Sequence, residues 1–96
     1  MPKFLFSYRM ANNYTGGPEA MEAWGRFFDT IGSNVIDKGN PVFEATSLGN
    51  CGADTHVGGY TFVTAEDLES AVAIAKGAPA LAHGGGVEVG EITEIM

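Results

Sequence analysis

His83 is the residue whose type best suits it to move a proton. An imidazole titrates near neutrality, and this one stands in LAHGGGVEV, between the end of an apolar helical stretch and the glycines Gly84 to Gly86. Open backbone on one side gives a ligand access to the ring. The same context also suits a histidine hydrogen-bonded to a neighbouring loop. His56 lies at a strand entry beside a flexible loop. The two histidines lack metal-ligand spacing, and neither CxxC nor HxxxH accompanies them, so neither a metal nor another cofactor is expected.

Five further residues can complete a pocket with His83. Arg9 is the one cation expected in the middle of a strand, where it can bind a substrate carboxylate through two hydrogen bonds or pair with an acid such as Glu88. Asp37, in VIDKGNP, is a possible acidic partner for a pocket histidine and is equally ordinary turn chemistry. Tyr8, Trp24 and Phe27 can line a flat aromatic pocket, although aromatic residues at strand or helix spacing also build plain core. Cys51 has no basic neighbour in sequence and Ser7 lacks a nucleophile-elbow context, so neither is a candidate nucleophile. Gly84 to Gly86 precede a strand rather than a helix, which argues against a phosphate loop.

The elements that must position these residues are readable from their periodicity. Phe4, Phe6, Tyr8 and Met10 alternate with Leu5, Ser7 and Arg9, predicting a strand over Lys3 to Met10. Pro18 suits the first position of a helix that Gly32 ends. Met21, Trp24, Phe27, Phe28 and Ile31 form its apolar stripe, and Glu22 pairs with Arg26 on the wet side. Gly25 in mid-helix implies a close approach by sheet or ligand. Ser33 to Lys38 reads as a short turn or helical extension, Val42 to Thr46 as a short strand, and Ser47 to Thr55 as a polar connection to a strand over Val57 to Val63.

A second helix follows, with Thr64 as cap, Asp67 as its capping-box partner, and Leu68, Ala71, Val72 and Ala75 as its apolar face. Gly77 is expected in a left-handed cap, and Pro79 blocks continuation. Val87 and Val89 resume strand chemistry, and a bulge near Gly90 would repair the register to Ile92. The order βαββαβ gives an α+β, ferredoxin-like fold: a four-stranded antiparallel sheet with two helices on one face. The other sheet face stays apolar, which suggests a homodimer packed sheet to sheet, with a ligand cavity between sheet and helix.

Composition bounds the partners. The chain has 96 residues, formal net charge −7, and Lys and Arg scattered singly, so it is one domain with no electrostatic footprint for nucleic acid or an anionic membrane. The apolar run in MPKFLFSYRM is too short for a signal peptide, and no segment approaches membrane-spanning length. A single cysteine excludes an internal disulfide and fits a cytoplasmic protein.

The stretches AWGRFFDTIG with VIDKGNP, GGYTFVTAEDLESAVAIAKGAPAL and HGGGVEV together resemble the YCII-related family, also called DGPF-domain proteins. CGADTHVGGY stands where the DGPF tetrapeptide would lie. The resemblance implies a ferredoxin-like βαββαβ domain that dimerises as an α+β barrel, similar to that of muconolactone isomerase. Most members of the family have no known activity. In some of them a histidine on the first helix, working with an acidic residue, is the proposed active site, and here Trp24 stands at or beside that position.

Two functional readings follow. One is a cofactor-free acid/base catalyst on a small carboxylate, lactone or enolisable carbonyl compound, with His83 moving the proton and Arg9 or Trp24 orienting the ligand. The other is a non-catalytic small-molecule sensor or accessory subunit acting through a protein partner. A purely structural dimer would leave the pocket unused.

Overall fold

In the computed structural model, which describes residues 1–95, the expected element order holds. Strand β1 (Lys3–Ala11) is followed by α1 (Pro18–Ile31), β2 (Val35–Asp37), β3 (Thr55–Thr64), α2 (Leu68–Ala75) and β4 (Gly86–Glu91). The strands form one antiparallel sheet in the order β2-β3-β1-β4. Phe4, Phe6, Tyr8 and Met10 of β1 are buried on one face, with Phe27 and Ile31 of α1, Val63 of β3, and Ala71 and Ala75 of α2. This is the ferredoxin-like α+β fold, both helices covering the same face. Leu5, Ser7 and Arg9 point to the other face because strand side chains alternate. Among the described residues, no helix is long and apolar enough to cross a membrane.

Several local expectations are corrected. The second strand lies at Val35–Asp37, not at Val42 to Thr46. Asp37 accepts a 2.9 Å hydrogen bond from the Gly39 N–H, which turns the chain, and Pro41, with no N–H to give, keeps only a single bridge to Gly59. Residues 42–54 therefore leave the sheet. The helix α2 is capped by Asp67, whose carboxylate accepts from the Ser70 N–H at 2.8 Å, while Thr64 remains the last residue of β3. That bond holds the Asp67 carboxyl below the usual carboxylate range.

The face of α2 is rotated as well. Ala71 and Ala75 are buried and Ile74 packs against the core, whereas Leu68 and Val72 are exposed. Small residues let this helix lie close to the sheet. Gly77 is not left-handed: the helix runs into Lys76 with right-handed backbone, and a 3-10 turn over Pro79–His83 ends in left-handed Gly84 instead. The ladder between β1 and β4 is regular through Gly90. The bulge falls between Tyr8 and Arg9 on the β3 side, where Gly58 is the extra residue.

On α1, Met21 lies outside the buried stripe, being 76% exposed, and a Cβ on Gly25 would meet nothing within 4 Å. The expected close approach of the sheet to Gly25 is not made. Glu22 and Arg26 do pair, at 4.0 Å across one helical turn, with both side chains exposed.

Candidate functional site

The strand alternation that builds the core also separates the candidate residues. Tyr8 faces the helices, and Arg9, the next residue, faces away from them. The two do not share a cavity. Arg9 instead donates from its guanidinium to the Cys51 carbonyl at 2.8 Å, the Thr55 carbonyl at 3.0 Å and the Thr55 hydroxyl at 3.3 Å. Among the described residues it pairs with no acid, Glu88 included, and it anchors the loop that precedes β3.

Tyr8, Trp24 and Phe27 do meet. The Tyr8 and Trp24 rings pack edge to face at 4.7 Å, Trp24 and Phe27 at 6.0 Å, and Tyr8 and Phe27 at 6.4 Å. Phe28 extends the cluster, with the Lys38 ammonium 5.0 Å from its ring centre. These rings fill the space between sheet and helix. The Tyr8 hydroxyl donates to Thr61 Oγ1 at 2.8 Å, and Thr61 in turn donates to the Lys38 carbonyl at 2.9 Å, so a buried polar chain ties β1 and β3 to the turn after β2.

Burial pushes the Tyr8 phenol up to about 12, with the bond to Thr61 pulling slightly the other way. In the unfolded chain a tyrosine titrates near ~10. The folded value is the higher one, so this contribution is whole below pH ~10 and is lost as pH rises from about 10 to 12. It amounts to about 2 to 3 kcal/mol at most. Urea midpoints at pH 8 and pH 11.5 should therefore separate more for the wild type than for Tyr8→Phe. Equal separation would mean that the phenol is not held neutral by the fold.

Asp37 and His83 lie at opposite edges of the sheet, because Asp37 ends β2 and His83 precedes β4. Asp37 is committed to its turn and does not partner His83. His56 shares a 2.9 Å hydrogen bond between its Nδ1 and Asn12 Oδ1, and Asn12 donates to the Ala53 carbonyl at 2.7 Å. Both belong to the anchorage of the 42–54 loop. Cys51 is exposed and free, its thiol 3.1 Å from the Leu48 carbonyl.

His83 borders a groove that the sequence did not suggest. It opens between α1 and α2 rather than between sheet and helix, with a volume of about 560 Å³ and a floor of Phe27, Ile31, Ile74 and Pro79. Arg26 and His83 stand on its rim, and the His83 ring tilts against Tyr14 at 5.7 Å. The other polar groups there are already engaged: Thr30 donates to the Arg26 carbonyl and the Asn34 amide to the Thr64 carbonyl.

No aspartate or glutamate lines the groove, although the chain carries 12 of them. In so acidic a protein, an apolar trough bordered by a guanidinium and an imidazole is chemically suited to an organic anion. Arg26 escaped the sequence reading because its pairing with Glu22 marked it as solvated surface. Its only signal was spacing, since Ala23, Arg26, Phe27 and Thr30 recur on one side of α1. Among the described residues, no three His, Cys, Asp or Glu side chains gather as a metal ion would require.

Fold and groove together define a small α+β protein with a ligand-sized surface trough. No family model, curated protein or solved structure matches the chain.

Proposed function

We propose that this chain is a YCII-like, homodimeric cytoplasmic protein that binds a small organic acid, or a related lactone or enolisable carbonyl compound, in the groove between α1 and α2. The observation that carries the reading is the acid-free groove, with its apolar floor and its two nitrogen-bearing rim groups. Arg26, exchanging its exposed 4.0 Å pairing with Glu22 for the ligand, takes the carboxylate or carbonyl oxygen, and the floor takes the hydrocarbon body. His83 is the group able to give or accept a proton, so catalysis without a cofactor would be proton transfer through its imidazole. Arg26 here fills the role that Arg9 held in the sequence reading, because Arg9 is spent on loop carbonyls.

A second reading, a sensor or accessory subunit without turnover, is favoured by one observation. Asp37 is three strands away from His83, which leaves the imidazole without the acidic orienting partner of an acid/base pair.

Thermal unfolding with a panel of small aliphatic and aromatic carboxylates tests the groove. A ligand at ~100 times its dissociation constant adds about 2.7 kcal/mol, a visible shift in melting temperature for a domain of this size. The expected result is a stabilising compound whose effect disappears in Arg26→Ala and weakens in His83→Ala. Stabilisation untouched by either variant would move the ligand elsewhere. Turnover of such a compound by the wild type, lost in His83→Ala, would select the enzyme over the sensor.

A further inference from the structure

The chain exposes more surface than its mass requires. A compact monomer of this size, 10.0 kDa, exposes about 5,200 Å², whereas this one exposes 6471 Å². Its radius of gyration is 13.4 Å against about 12.5 Å for a compact domain of equal length, and it is a slab of 36 × 33 × 20 Å. The excess, about 1,200 Å², is of the order of one partner's share of a standard protein interface, about 800 Å².

Residues 43–54 are exposed throughout. Phe43 is 89% exposed and Leu48 84%. The loop carrying them is tied at both ends: the Val42 N–H donates to the Gly58 carbonyl, the Asn12 N–H to Asp54, the Asn12 amide to Ala53, and the Arg9 guanidinium to Cys51 and Thr55. Anchored in this way, the loop displays its apolar side chains instead of folding them back. Arg9 reaches it from the sheet face opposite the helices, so loop and open face form one continuous surface.

That face carries Leu5, Ile36, Tyr60 and Phe62, with Tyr60 and Phe62 packed edge to face at 5.8 Å. Lys3, Arg9 and Glu88 lie on the same face, with Lys3 paired to Glu94 at 3.2 Å and Arg9 held by the loop carbonyls.

We infer that residues 42–54 are an arm that packs Phe43 and Leu48 against the open sheet face of a second copy of this chain, each copy clasping the other. The inference rests on the homodimer proposed above and adds the loop to it. A second copy is the occupant because one chain supplies both halves of the contact, the displayed side chains and the apolar face, as a twofold interface requires.

Sedimentation velocity over a concentration series tests the arm, with the wild type, a Phe43→Ser/Leu48→Ser variant and Phe62→Glu compared. All three positions are at least partly exposed, and circular dichroism checks that each variant keeps the fold. A wild-type dimer whose dissociation constant rises ~10-fold or more in the arm variant, and which Phe62→Glu also dissociates, is the expected result. A dimer that Phe62→Glu dissociates while the arm variant leaves it unchanged would sink the arm and keep the sheet-face dimer. A dimer weakened by the arm variant but indifferent to Phe62→Glu would remove the docking face assigned here. A wild type that stays monomeric at ~100 μM would overturn arm and dimer together.

Discussion

Phe6→Ala is expected to remove about 3 to 5 kcal/mol of stability, the usual range for deleting a fully buried phenylalanine. Phe6 has no exposed surface and lies on β1, between β3 and β4, where it pairs with Thr61 on one side and Val89 on the other. Deleting the ring leaves a cavity bounded by elements that cannot collapse into it without breaking ladder hydrogen bonds on both sides. A domain of this length holds about 5 to 14 kcal/mol in total, so the variant keeps at best a narrow margin. Phe6→Leu, which fills most of the space, should cost much less. Urea midpoints with unchanged slopes would check both. A loss under ~1.5 kcal/mol in Phe6→Ala would mean that the layer between sheet and helices is far looser than its burial indicates.

The same strand shows why the fold was readable while the site was not. The period-two alternation of β1 is a local property, and it identified the buried face residue by residue. Local stripes and stops likewise located both helices, although Met21, Leu68 and Val72 of those stripes are exposed and Gly77 is not a left-handed stop. Where two local signals competed, the reading slipped: Thr64 and Asp67 can both cap a helix, and the acid nearer the helix does so. For β2, three residues at Val35–Asp37 gave too short a run to weigh against Val42 to Thr46. What decided between them was the Asp37–Gly39 turn and the missing N–H of Pro41.

The candidate site depends on longer distances. The partners of Arg9 are carbonyls more than forty positions away, so nothing near Arg9 in sequence could show that its guanidinium was spent. The groove lies between two helices that barely touch each other, and its α2 side is lined by Ala73 and Ile74, while Ala71 and Ala75 face the core. His83 was marked by its residue type and by the glycines that follow it. Arg26 becomes visible beside it only when α1 and the 3-10 turn over Pro79–His83 are placed together.

Three glycine-to-alanine changes are expected to differ in sign and size. Gly39→Ala is the most damaging of them. Gly39 has φ 74°, a left-handed conformation that costs an alanine about 1 to 2 kcal/mol, and its new Cβ would also run into the Tyr60 carbonyl oxygen. Backbone cannot rotate away as a side chain can, so overpacking adds about 1 to 3 kcal/mol, for a total loss of about 2 to 5 kcal/mol. The displacement also pulls on the Lys38 carbonyl next door, which accepts from Thr61 and so terminates the Tyr8 chain. Gly49 has nearly the same φ, 75°, but no atom within 4 Å of its Cβ position, so Gly49→Ala bears only the conformational cost. Gly25 sits in the exposed interior of α1 with open space around it, and Gly25→Ala should stabilise by about 0.5 to 1 kcal/mol. Chemical denaturation of the three variants should rank Gly25→Ala above wild type, then Gly49→Ala, then Gly39→Ala. Equal losses for Gly39→Ala and Gly49→Ala would show that the Tyr60 carbonyl yields, and that the turn after β2 does not hold the polar chain beneath it.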